Sequence, residues 1–131
     1  MAPNVLEIDV PPALLDSLRP LVPLLQAQGK ASPPFTTPDG LSLHVFHNPD
    51  WDSDILWITQ FDPETYRRLE EVFDALGIAD MVAGRIARDE RIVLYTTMFV
   101  VRSHCDAVHM HYDWQGTDND TFTFITPLSE N

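Results

Sequence analysis

The segment "VHMHYDW", residues 108–114, alternates apolar side chains with ionisable ones. In an extended strand, successive side chains point to opposite faces, so this alternation predicts a β-strand with two unlike faces. One face carries His109, His111 and Asp113. The opposite face carries Val108, Met110, Tyr112 and Trp114. Polar groups inside a sheet are costly unless they have partners. The ionisable face is therefore expected to meet either water or a metal ion.

Segments rich in β-branched and aromatic residues surround this alternation. "RIVLYTTMFVVRS" (91–103) predicts a strand that is buried on both faces. After the polar loop 115–120, "TFTFITPL" (121–128) predicts a further strand. Upstream, residues 41–47 alternate as a strand, and residues 54–60 are expected to be its hairpin partner or a neighbouring strand.

Apolar residues near the N-terminus recur instead at helical spacing. They are Leu14, Leu15, Leu18, Val22 and Leu25. Pro20 and Pro23 interrupt this pattern and predict two short helical pieces, with Gly29 as the end of the second. The Pro-rich loop that follows contains Asp39-Gly40, which predicts a turn.

The strongest helix pattern is "DPETYRRLEEVFDALG", residues 62–77. Asp62 suits the N-cap, Pro63 the first turn and Gly77 the position after the end. The apolar stripe comprises Tyr66, Leu69, Val72, Phe73 and Leu76. A shorter helix is expected over residues 80–88, with buried positions at Met81, Val82 and Ile86.

Helices followed by consecutive strands indicate an α+β fold or a β-sandwich with an N-terminal helical layer. The 131 residues suit a single domain, in which 1–90 form a helical or mixed N-terminal layer and 91–131 supply strands.

The composition of the chain indicates the class of protein and disfavours some kinds of partner. With 44% hydrophobic and 21% charged residues, the chain has the composition of a globular domain. Its formal net charge of −12 disfavours nucleic acid and anionic membranes as partners. Cys105 is the single cysteine, so no internal disulfide is expected. There is no secretory signal pattern and no membrane-spanning apolar run, and the expected location is cytoplasmic.

His111 and Asp113 lie two residues apart on one strand face, so both side chains can reach one metal ion. Imidazole and carboxylate together suit iron, zinc, manganese or nickel. This pairing supplies two of the three ligands in the 2-His-1-carboxylate triad of non-haem Fe(II) oxygenases.

The segment "HMHYDWQGTDNDTFTFITPLSEN" resembles the Fe(II)/2-oxoglutarate-dependent dioxygenases, in which His-x-Asp ends an early strand of a double-stranded β-helix, or jelly roll. The resemblance implies N-terminal helices packed outside a jelly-roll core. It implies that His111 and Asp113 bind Fe(II). It also implies O₂-dependent oxidation of a small metabolite, with 2-oxoglutarate converted to succinate and CO₂. The carboxylate of Asp113 disfavours halogenation, so hydroxylation of a C–H bond is expected.

In that family, a second histidine ligand and a basic residue that holds 2-oxoglutarate follow the His-x-Asp strand at a distance. This sequence ends at Asn131, and His44, His47 and His104 all precede the motif. We therefore expect these residues to form the N-terminal part of a domain whose C-terminal half is missing here.

Arg102 and Tyr95 are the candidates for binding 2-oxoglutarate. Arg102, at the end of a predicted strand, can bind a carboxylate of cosubstrate or substrate through two hydrogen bonds, or can reach solvent. Tyr95 can donate a hydrogen bond from the same strand, or can be a core residue.

Alternatives for the chemistry remain open. One is a non-catalytic jelly-roll or cupin-like domain that binds a metal or ligand. Another is a zinc site formed by residues 104–106 and His109, although a single cysteine is weak support for it. His44 and His47 fall on opposite faces of their strand and are expected to be structural or substrate-facing.

Overall fold

The structure is a computed structural model that describes residue 7 and residues 9–46, 55–86, 91–102 and 122–129. The protein has an α+β fold in which helices accompany one antiparallel sheet. In chain order, the helices and strands are α1 Pro12–Leu18, α2 Val22–Gln26, β1 Phe35–Thr36, β2 Ser42–Phe46, β3 Ile55–Gln60, α3 Pro63–Ala75, α4 Ile78–Ile86 and β4 Met98–Arg102.

The prolines near the N-terminus divide the helical layer as predicted. A 3₁₀ turn, Arg19–Leu21, separates α1 from α2. Pro20 is one of the first two residues of this turn, and Pro23 is one of the first two residues of α2. A proline is tolerated there because the first N–H groups of a helix have no partner within it. The prediction of two short helical pieces is confirmed.

The sheet has the strand order β1-β2-β3-β4, and each neighbouring pair is antiparallel. The predicted pairing of the segments 41–47 and 54–60 is confirmed by the β2–β3 ladder, in which Val45 lies opposite Ile58. The turn before β2 contains Gly40 at a φ of 91°, a conformation that glycine adopts without a steric penalty. Helices α3 and α4 connect β3 to β4, so the sheet combines strands from both sides of residue 90.

One face of the sheet forms the hydrophobic core with the N-terminal helices. We call it the covered face, and its apolar residues are Phe35, Leu43, Val45, Leu56, Ile58, Phe99 and Val101. Leu21 and Leu25 of the helical layer pack against Leu43 and Ile58, both of which are completely buried. The N-terminal helices therefore lie on a sheet, but three of its described strands come from residues 35–60 and only β4 comes from residues 91–131.

Helix α3 begins as its sequence predicts. The Asp62 side chain accepts a hydrogen bond from the Thr65 backbone N–H at 2.8 Å, and Pro63 occupies the first turn. Gly77 follows the helix with a φ of 65°. The next helix runs over Ile78–Ile86, beginning earlier than predicted, and Met81 is exposed rather than buried. Residues 87–90 lie outside the described part.

The strand predicted from residue 91 is shorter than expected and is buried on one face only. Residues 91–97 form no strand, and the ladder begins where Met98 pairs with Thr59. Thr97 lies beside Gln60, the last residue of β3, and residues 91–96 have no β3 residue opposite them. Val100 is exposed on the face away from the core, so the prediction of two buried faces was wrong.

The strand predicted at 121–128 is likewise not observed over residues 122–128. Apolar, β-branched composition favours a strand but does not supply the neighbouring ladder that stabilises one. None of the four described strands pairs with this segment, and Phe122 and Ile125 are exposed. The predicted strand at 108–114 lies outside the described residues.

Candidate functional site

The predicted metal ligands, His111 and Asp113, lie outside the described residues, as do His109 and the alternative zinc ligands at 104–106. Their assignment stays a prediction. Within the described ranges, no group of three or more His, Cys, Asp or Glu side chains could hold a metal ion. The described structure does define the strand that leads to this segment, because β4 ends at Arg102, nine residues before His111 in the sequence.

The sheet face opposite the core carries a mixture of aromatic, aliphatic and basic side chains. We call it the open face, and its residues are Thr36, Ser42, His44, Phe46, Ile55, Trp57, Thr59, Met98, Val100 and Arg102. Phe46, Met98 and Val100 are 55%, 51% and 59% exposed. A contiguous set of exposed apolar side chains is a feature of binding surfaces more than of ordinary protein surface.

The register arranges these side chains in rows across the strands, because directly opposed residues of antiparallel strands point to the same face. Phe46, Trp57 and Val100 form one row, and the rings of Phe46 and Trp57 lie 6.4 Å apart between centroids. His44 and Met98 belong to the next row, where the His44 ring contacts Phe61 edge-on at 5.4 Å. His44 therefore points toward the open face, consistent with the substrate-facing alternative for it.

Arg102 and Tyr95, the two candidates for cosubstrate binding, lie toward opposite ends of β4. Arg102 is the last residue of the strand and lies opposite Ile55, at the beginning of β3. Tyr95 precedes the strand by three residues and is 76% exposed. The strand alone spans about 13 Å between its end residues. The structure therefore does not bring these two side chains together. They are not placed to bind the same carboxylate group.

The segment that contains Tyr95 is held against the far end of β3. Thr59 Oγ1 donates a hydrogen bond to the Thr97 carbonyl at 2.8 Å, and Thr97 Oγ1 donates to Gln60 Oε1 at 3.1 Å. The Tyr66 hydroxyl of α3 donates to the Leu94 carbonyl. These contacts fix the approach to β4 without a β-ladder.

A polar junction that the sequence did not reveal joins β2 to α3. Thr65 is fully buried, and its hydroxyl accepts a hydrogen bond from the Ser42 backbone N–H at 2.9 Å. The same hydroxyl donates to Asp62 Oδ2 at 3.3 Å. The backbone N–H of Thr65 and the side chain of Ser42 stabilise the carboxylate, which lowers the pKa of Asp62. Asp62 was predicted as a cap, but its link to β2 joins residues distant in sequence.

Comparison with known proteins adds no family assignment. No protein-family model matches this chain, and no curated protein or solved structure matches it either. Among the described helices, none is long and apolar enough to cross a membrane.

Proposed function

We infer that this protein is a cytoplasmic non-haem Fe(II)/2-oxoglutarate-dependent dioxygenase, or the N-terminal part of one, that hydroxylates a C–H bond of a small metabolite. The observation that carries this proposal is the alternation at 108–114, which predicts His111 and Asp113 on one face of a strand that follows β4 in the sequence. Imidazole and carboxylate are a donor set that suits iron.

The described sheet supports the same proposal. Helices α1 and α2 cover one face, while the other face remains accessible and displays aromatic and basic side chains. A jelly-roll oxygenase requires such an arrangement, because its helices lie outside and its chemistry occurs on the inner face. In the proposed fold, β2, β3 and β4 belong to the jelly-roll sheet on which the helices pack, and the open face is the inner face of that sheet.

The proposed ligands have separate tasks. His111 and Asp113 would hold the iron, and Arg102 would bind a carboxylate of cosubstrate or substrate. Bound Fe(II) with 2-oxoglutarate and O₂ supplies the oxidation, which converts R–H, 2-oxoglutarate and O₂ to R–OH, succinate and CO₂. As in the dioxygenases that this segment resembles, the site would also require a second histidine and a basic residue for the cosubstrate.

A second candidate function is a jelly-roll or cupin-like domain that binds a metal or ligand without redox chemistry. The donor pair fits it equally, because imidazole and carboxylate together bind zinc, manganese or nickel as well as iron. Such a domain would bind a divalent metal through His111 and Asp113 but would not bind 2-oxoglutarate at that metal.

Anaerobic titration of the full-length protein with Fe(II) and 2-oxoglutarate separates these functions. The enzyme predicts the visible charge-transfer absorption of an Fe(II)–2-oxoglutarate chelate, and both His111→Ala and Asp113→Ala should abolish it. His44→Ala is the matched control, because it removes an imidazole from a described strand outside the predicted ligand pair. Metal binding without the absorption would identify the non-catalytic domain, and equal losses in all three variants would contradict the ligand assignment.

A further inference from the structure

We draw no further inference here: the strongest candidate, the open face of the sheet around Phe46, Met98 and Val100, carries none because nothing in the described part of the chain shows what covers it.

Discussion

The two faces of the sheet are built from alternate residues of the same strands, yet they differ in what they contact. Ile58 points to the covered face and is completely buried, whereas its neighbour Trp57 points to the open face. Both faces contain aromatic and β-branched side chains, so composition does not distinguish them. The helices that pack on one side do, because Leu21 and Leu25 close that face and exclude water from it.

This division assigns different tasks to neighbouring residues. Burial of apolar area stabilises the fold, so the covered face should dominate the free energy of unfolding. The open face retains apolar area that folding does not bury, and such area is available for a ligand. Substitutions that affect one face and spare the other measure how complete this division is.

Truncation on the covered face should have the largest effect on stability. Ile58→Ala removes a side chain with no exposure and leaves a cavity, so we expect the free energy of unfolding to fall by about 2–5 kcal/mol. Val100→Ala, on the open face, should cost less than about 1 kcal/mol. Urea unfolding followed by far-ultraviolet circular dichroism measures both, and similar losses would show that the two faces are equally buried.

Disruption of the junction at Thr65 should have the next largest effect on the free energy of unfolding. Thr65→Val keeps the shape of the side chain but leaves the Ser42 N–H without its acceptor in a buried position, which should cost about 1–3 kcal/mol. Thr96→Val is the control, because Thr96 is exposed. Urea unfolding of the two variants measures the difference. Equal small losses would mean that the junction does not fix β2 against α3 and that the faces are oriented by packing alone.

The sequence predicted those features that depend on neighbouring residues. The proline-divided helices, the Asp62 cap and the turn at Gly40 are local, and the structure has all three. The junction was not predictable, because Ser42 and Thr65 lie 23 residues apart. Strand length also depends on the partner strand: residues 91–96 have strand-like composition, but β3 contains no residue opposite them.

The features of the candidate site also differ in whether they depend on neighbouring residues or on residues distant in sequence. Alternation along one segment suffices to predict that His111 and Asp113 share a face, because the period of a strand is two. The positions of Arg102 and Tyr95 depend on where β4 begins and on its register with β3, which the sequence did not specify. Composition also could not indicate that one sheet face is open, since that depends on where distant helices pack.

Acid should weaken the protein at the start of α3, where two carboxyls have lowered pKa values. The pKa of Asp62 is lowered by hydrogen bonds from the Thr65 N–H and the Ser42 side chain, and Arg67 lowers the pKa of Glu64. A carboxyl whose folded pKa lies below its unfolded value stabilises the fold above the unfolded pKa, near 4. That stabilisation is lost as the pH falls through the folded pKa.

Asp62→Asn isolates the Asp62 contribution, because asparagine remains a good N-cap but does not titrate. Between pH 7 and pH 3, we expect the melting temperature of the variant to fall by less than that of the parent protein. Val100→Thr should retain the full acid sensitivity of the parent. A variant at position 62 with unchanged acid sensitivity would assign the loss to other carboxylates.

Val100→Thr should have the smallest effect on folding, and this makes it the most direct comparison of the two faces. Threonine has nearly the same shape and a high strand preference, and the added hydroxyl meets water on an exposed face, so the free energy of unfolding should change by less than about 0.5 kcal/mol. If thermal unfolding instead shows a loss as large as that of Ile58→Ala, the open face is buried in the full-length protein, and its apolar residues serve folding rather than recognition.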